Sequence, residues 1–505
     1  MWTSKILHGG RLGSVREDVA KFTSSIKDDA RLLDAVLAIN KAHVIMLTEQ
    51  KIIAKQDGAA LLSALEKHIN MTLDSSMEDA HMAVEEAILK EAGAEAGGNL
   101  HIGKSRNDQV ATAIRMTLRN ELLKLMRSLA HVQEHLTEVA EDHVDTVILE
   151  YTHLQPAQPV TFAHYLISYV DAFERDIQRL QSAYTRVNLC PLGAGALATT
   201  SFPINRDRTA ELLGFNGLIE NSIDAVGSRD FITETLAALT LTAVNLSRLA
   251  EDLIIWSSPD FGVVELPDEF TSTSSIMPQK KNPEVLEVIR ARSSDILGNF
   301  VAATAAMKSL PSTYNLDFQE ITPKLWQSID SVRASLDMIH KLAPKLKVTT
   351  DVSERALKSF VAATELANLL VRKYNVPFRS AHKIVGILVK SLIDAKLTFA
   401  DATPKMLQKA AQDSTGIKLA VKDADIKALA DPLKLVEACN VKGGPAPVEV
   451  KRALCEREKQ VLLTKSNISK MDNELEEAEE KLDTTVQQLT AKSMKTEHLK
   501  IQPDR

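Results

Sequence analysis

Glycine and proline are scarce, 19 and 17 in 505 residues, against an average glycine usage of roughly 7%. Breakers this rare leave long uninterrupted stretches. Cysteine is scarcer still. Cys190, Cys439 and Cys455 stand far apart, with no CxxC among them, which excludes a disulfide scaffold or zinc ribbon and suits a reducing compartment. Aromatic residues make up 4%, and 60 Lys+Arg face 67 Asp+Glu for a net charge of −7. A chain with so few rings to stack on bases and no basic excess for phosphates is a poor nucleic-acid binder. Met1-Trp2-Thr3-Ser4-Lys5 leads into no apolar segment of signal-peptide type, and no uncharged apolar run is long enough to span a bilayer. The expectation is a soluble, cytoplasmic protein without membrane or nucleic-acid partners. What is present is ordinary globular composition, 45% hydrophobic and 25% charged. The length allows about three or four domains and a large buried core.

No glycine or proline occurs from Lys104 to Gln155, from Val160 to Cys190, from Ser228 to Ser258 or from Lys324 to Ala343, and only Gly298 interrupts the run from Pro283 to Leu310. In the first stretch Ile114, Leu118, Leu122, Leu125, Leu129, Val132, Leu136 and Val139 recur at steps of three or four, the apolar stripe of an amphipathic helix. In the third, Ile232, Leu236, Leu239, Ala243, Leu246 and Leu253 share one face. Helices this long predict an all-α bundle, and no convincing alternation predicts a strand. The breakers divide the chain into an N-terminal helical region (1–105), a central long-helix region (106–345), a region of shorter helices (346–450) and a charged tail (451–505). In the tail Leu454, Val461, Ile468, Leu475, Leu482 and Leu489 fall every seventh residue, one seam of a heptad pattern. The second seam is poor: Arg457, Thr464, Met471, Ala478, Thr485 and Lys492. A solvated single helix and a coiled coil both fit.

Function belongs where the helical pattern gives way to dense polar sequence. Three islands qualify. In His101-Ile102-Gly103-Lys104-Ser105-Arg106-Asn107-Asp108-Gln109, one of Ser105, Asn107 or Asp108 can cap the following helix, and the same helix start with Arg106 suits a carboxylate. The second, Tyr151-Thr152-His153-Leu154-Gln155-Pro156-Ala157-Gln158-Pro159, reads as a proline-marked turn carrying three polar groups. The third, Thr271-Ser272-Thr273-Ser274-Ser275-Ile276-Met277-Pro278-Gln279-Lys280-Lys281-Asn282-Pro283, has the composition either of a flexible linker or of an active-site lid. Gly193-Ala194-Gly195 is too short for a dinucleotide fingerprint. There is no P-loop and no metal-ligand spacing, and the His131/His135 pair lacks the Glu of HExxH.

Taken together, the islands resemble the argininosuccinate lyase branch of the fumarase/aspartase superfamily. The segment 274–283 is similar to the superfamily signature loop. Segments 105–109 and 151–155, with Pro191-Leu192-Gly193-Ala194-Gly195-Ala196 and Leu310-Pro311-Ser312-Thr313-Tyr314-Asn315, match that branch in order. The resemblance covers roughly residues 1–450, and the tail has no counterpart that it supplies. It implies three mostly helical domains, a homotetramer with a 20-helix core, and active sites built from three chains. It further implies reversible cleavage of argininosuccinate to arginine and fumarate with no metal or organic cofactor. By match, Ser274 is the general base, His153 the general acid and Glu287 the carboxylate that holds it. Lys280 and Asn282 donate to the charged intermediate. Substrate binding falls to Ser105, Arg106, Asn107, Thr152, Asn282 and Gln319, to Ser25, Asp29 and Tyr314 around the arginine half, and to His81 and Arg229. Thr273 stands where the superfamily usually has Gly, Lys104 where Arg is common, and Thr322 where many members carry Lys. The alternatives are another lyase of the superfamily, such as adenylosuccinate lyase, or a crystallin-like structural protein. Retention of Ser274, Lys280, Asn282, His153 and Glu287 together speaks against loss of catalysis.

Overall fold

The computed structural model describes residues 15–74, 77–349 and 352–500. Gly9-Gly10 and the outer ends of the first and last regions lie outside the described residues. After short helical segments at Glu17–Thr23 and Ile26–Asp29 come α1 (Leu33–Glu49), α2 (Lys55–Lys67) and α3 (Ala80–Gly97). Five long helices follow, α4 (Arg106–Asp142), α5 (Phe162–Val187), α6 (Asp230–Trp256), α7 (Glu284–Met307) and α8 (Asp317–Leu342). Shorter ones come next, including α9 (Ala363–Tyr374), α10 (Phe378–Asp394) and α11 (Pro404–Thr415). The last is α12 (Pro447–Lys500).

The stripe read from sequence on α4 is buried from Ile114 to Leu136, while Val139 is half-buried. It faces α5, α8 and the terminal helix. α6 packs along α7, α5 and α8. Burial of each aliphatic side chain contributes roughly 1.5–3 kcal/mol, so this shared face, more than helix propensity, holds the long helices. One continuous core runs from Leu32 through the bundle, and a second gathers Leu149 with residues between Ala356 and Leu435. On α7 only Leu286, Ile289, Ile296 and Ala303 are buried. Val288, Leu297 and Val301 remain exposed there, as do Leu241 and Val244 on α6.

The structure departs from the sequence reading in four places. The run ending at Ala343 becomes a helix that starts at Asp317, ahead of Pro323. The proline falls in the second turn, where its missing N–H costs one hydrogen bond near the helix start. Second, strands exist. β1 (Val147–Thr152) pairs antiparallel with β2 (Gln155–Thr161). Pro156 and Pro159 are not the turn but sit opposite Tyr151 and Leu149 within the ribbon, and a two-stranded ribbon has outer edges on which proline is tolerated. Third, the third island carries a short hairpin that the sequence reading did not anticipate. Ser272–Thr273 pairs antiparallel with Lys281–Asn282, closing a hairpin base. Fourth, the tail packs against its own bundle. Leu454, Val461, Ile468, Leu482 and Val486 are buried against α4, α2, α1 and α5. The poor second seam is poor because it meets charge: Arg457 donates to both oxygens of Asp171 at 2.9 Å, and Thr464 faces Glu174. No helix of the described residues is long and apolar enough to cross a membrane.

Candidate active site

The first cluster forms where α3 and α4 begin. Ser105 is the N-cap of α4, its Oγ accepting from the Asn107 N–H at 3.4 Å, and Asp108 returns the bond to the Ser105 N–H at 2.9 Å. Of the three residues read as possible caps, Ser105 and Asp108 therefore act together. Asn107 Nδ2 donates to the Ala196 carbonyl at 3.0 Å. The Arg106 guanidinium is bound by Asp79, with Glu85 3.7 Å away. Asp79 also caps α3 by accepting from the Met82 N–H at 2.7 Å. In the first turn of α3, His81 is buried with neither ring nitrogen in good hydrogen-bond geometry. Burial, followed by the Arg106 and Lys104 charges, holds its imidazole well below the usual histidine range, with the Gln109 side chain opposing. His81 is therefore a neutral ring.

Ser25 and Asp29 join this cluster through the same helix start. Ser25 Oγ donates to Asp29 Oδ2 at 2.8 Å, and that oxygen also accepts from the Ala80 N–H at 3.2 Å. Burial pushes the Asp29 carboxyl up to about 6. Gln319, in the first turn of α8, donates to the Thr23 carbonyl at 2.8 Å. Arg229 is fully buried at the start of α6. Its guanidinium lies 4.8 Å over the Phe318 ring, and two of its nitrogens have no partner. Burial pulls Arg229 down to about 10, with the Tyr314 phenol near enough to oppose. Burial raises Tyr314 in turn, against Arg229 and Arg106. The structure thus gathers Ser25, Asp29, His81, Ser105, Arg106, Asn107, Arg229, Tyr314 and Gln319 at one end of the bundle.

The second cluster is the β1–β2 turn. His153 and Leu154 both adopt positive φ, 58° and 56°, a left-handed conformation that favours glycine and costs about 1–3 kcal/mol per residue. The Tyr151 ring leans on Phe261, centroids 5.0 Å apart, and Arg355 Nη1 donates to the Tyr151 hydroxyl at 3.4 Å and to the Phe261 carbonyl. The turn projects Thr152 and His153 into solvent. The third cluster is the 271–283 hairpin. Ser274 Oγ accepts from the backbone N–H groups of Ile276 at 3.3 Å and Met277 at 3.1 Å. Asn282 Nδ2 donates to Ser272 Oγ at 3.4 Å. Lys281 pairs with Asp268 at 2.7 Å. Lys280 and Glu287 are exposed.

Among the described residues, the hydrogen bonds of Ser274 run to its own hairpin, to the Ile276 and Met277 N–H groups, and not to the first cluster. The family's Lys position, Thr322, turns inward and donates to the Phe318 carbonyl at 3.1 Å. Lys104 is buried against Asn40, and burial pulls its ammonium down to about 8. Sequence reasoning missed two supports. The sequence marks Asp79 only by its place one residue before a helix start, and offers Asp108 only as a possible cap. No group of His, Cys, Asp or Glu among the described residues is arranged to hold a metal ion.

The family profile described as lyase matches residues 12–298, and that described as argininosuccinate lyase C-terminal matches residues 360–437. The argininosuccinate lyase of Methanocaldococcus jannaschii is 44% identical over 485 residues, 95% of this chain and 97% of its own. That of Methanosarcina barkeri is 41% identical over 96% of this chain and 99% of its own. The chain belongs to the argininosuccinate lyase family. It is an enzyme of the carbon–nitrogen lyase class. Among solved structures, an EDDS lyase in complex with formate superposes with a TM-score of 0.87 at 32% identity, covering 92% of this chain and 93% of that one. An EDDS lyase variant with bound fumarate gives 0.85 at 31%, covering 96% and 98%. A class II fumarase from Schistosoma mansoni shares the fold at 17% identity and a TM-score of 0.70. Coverage of 95% or more has to take in more than half of the residues beyond Val450. The tail therefore has counterparts among family members, contrary to the sequence reading.

Proposed function

We propose that this argininosuccinate lyase family member cleaves argininosuccinate reversibly to arginine and fumarate, as a cytoplasmic homotetramer whose sites each draw on three chains. In this reading Ser274 Oγ takes the proton from the carbon beside a substrate carboxylate. The electron pair moves into that carboxylate, making it a dianion, and Lys280 and Asn282 donate to it. The C–N bond then breaks, and His153, held by Glu287, gives a proton to the departing guanidino nitrogen. Ser105, Asn107, Thr152 and Asn282 hold carboxylates, with Arg106 and Gln319 in reach. Ser25, Asp29 and Tyr314 surround the arginine half beside His81 and Arg229. No step calls for a metal or organic cofactor. The division of the chain at residues 105, 345 and 450 belongs to the same reading.

The observation that carries the chemistry is the pair of N–H groups aimed at Ser274 Oγ. A neutral serine is a poor base, and donors directed at its oxygen favour the alkoxide. The strained backbone at His153 supports its role as well, since such conformations persist where a site requires them. The test is purified protein with argininosuccinate, monitored by fumarate absorbance. Release of fumarate is expected. Silence there with turnover of adenylosuccinate moves the protein to another lyase of the superfamily, and silence with both makes it a structural protein.

A further inference from the structure

Asp108 is wholly buried, yet the reaction above gives it no part. Its carboxylate is shared between two distant segments. Oδ1 accepts from the Ser105 N–H at 2.9 Å within its own island. Oδ2 reaches across the fold to accept from the Gly193 N–H at 3.0 Å and the Gly195 N–H at 2.8 Å. Both glycines have positive φ, 84° and 62°. A Cβ at Gly193 would meet Arg206 Cγ at 2.7 Å, and one at Gly195 would meet the Thr199 carbonyl oxygen at 2.6 Å. Inward-facing N–H groups in such a turn form an anion-binding concavity, and here the chain's own carboxylate fills it. The turn also returns a contact, because the Ala196 carbonyl accepts from Asn107 Nδ2 at 3.0 Å. Arg206 braces the turn from behind by donating to the carbonyls of Leu192 at 3.0 Å and Ile219 at 2.9 Å.

We propose that Asp108 is a positioning residue for substrate binding: it locks Ser105 and Asn107 to the Gly193–Ala196 turn, so that their side chains meet a substrate carboxylate in one fixed geometry. The proposal rests on the reading that Ser105 and Asn107 bind that carboxylate. A carboxylate suits the task and an amide does not. Three N–H donors converge on Asp108, and an asparagine would turn its own NH2 toward one side, leaving either the Ser105 N–H or the glycine pair without an acceptor. Burial pushes the Asp108 carboxyl up to about 6, and the three N–H donors work against that rise.

The experiment uses the full-length protein, argininosuccinate and the fumarate signal. Asp108→Asn raises KM about tenfold while kcat falls by less. Gly195→Ala keeps the carboxylate but strains the turn and displaces one donor, and it gives the same split. In an Asn107→Ala background, Asp108→Asn adds less than about twofold, because the group it positions is gone. A purely structural role would instead lower the melting temperature and the active fraction, leave KM unmoved and add fully to Asn107→Ala. KM within about twofold of wild type in either variant, or full additivity, overturns the proposal. If Asp108→Asn fails to fold, Gly195→Ala decides. A wild type silent on argininosuccinate overturns the functional reading and this proposal with it, whereas an active wild type with an unmoved KM in the variants overturns this proposal alone.

Discussion

A serine hydroxyl ordinarily keeps its proton at neutral pH, so a serine base needs donors aimed at its oxygen. The Ile276 and Met277 N–H groups supply two without any side chain. Ser274→Ala should therefore lower kcat by roughly 10²–10⁴-fold with an unchanged circular dichroism spectrum, and a near-normal rate would remove Ser274 as the base. Asp29 offers a second test at this scale, through pH. Its carboxyl is pushed from 3.8 up to about 6. Between those values the folded chain holds a proton that the unfolded chain has released. Its contribution to stability therefore falls as pH rises through that window and stays low above it. Asp29→Asn should gain on wild type by roughly 2 kcal/mol in going from about pH 4 to about pH 8, as read by urea unfolding. If a cationic group of arginine pairs with Asp29, added arginine should raise the melting temperature of wild type more at the higher pH, and should do so far less in the variant.

At the scale of elements, the terminal helix shows which forces dock it. Ile468 is buried with a relative exposure of 3%, while Lys481 meets Glu211 in the open. Ile468→Ala should cost about 2–4 kcal/mol and Lys481→Ala under about 1 kcal/mol, both measured by chemical denaturation. The reverse order would make the ion pairs the docking force. The same helix shows what could be read in advance. Its leucine–valine–isoleucine seam was visible as a repeat, but the partner was not. Arg457 and Thr464 look like a failed second seam until Asp171 and Glu174 are placed opposite them. The long helices α5 and α6 were legible because breakers stand just outside them, whereas α8 runs through Pro323. The β1–β2 ribbon was not, since Pro156, Gln158 and Pro159 carry no strand alternation, and the turn at His153–Leu154 has none of the glycine or asparagine that signals positive φ. The site motifs were legible as polar islands. Their contacts were not, because the bonds from Asp108 to Gly193 and Gly195 cross from one segment to another that no local pattern connects.

At the scale of the whole molecule, the open apolar faces and the proposed multi-chain site lead to the same test. α7 buries only four of its 24 residues and exposes Leu297 at 48% and Val301 at 56%, one helical turn apart. Leu241 and Val244 stand exposed on the neighbouring α6. Apolar surface of this kind marks a protein interface. The proposed site, meanwhile, draws on residues of three separate segments, 105–107, 151–155 and 271–283. Packing the exposed faces of α6 and α7 against other copies would cover the apolar side chains, and sites made from several chains would bring Ser274, His153 and the Ser105–Asn107 island together. Leu297→Glu with Val301→Glu places charge on a face that is already open in the single chain, so the fold itself should lose no more than about 0.5 kcal/mol per substitution. The assembly should lose far more, because buried, unpaired carboxylates are costly. Light scattering should then report smaller species, circular dichroism an intact helical chain, and the fumarate assay no turnover. A monodisperse tetramer from the double variant would place the interface elsewhere. Co-expression gives the complementary result. Ser274→Ala and His153→Asn chains are each inactive alone, but if a site takes those two residues from different copies, mixed assemblies contain some sites with both intact and recover part of the activity. No recovery on mixing would return both residues to a single chain.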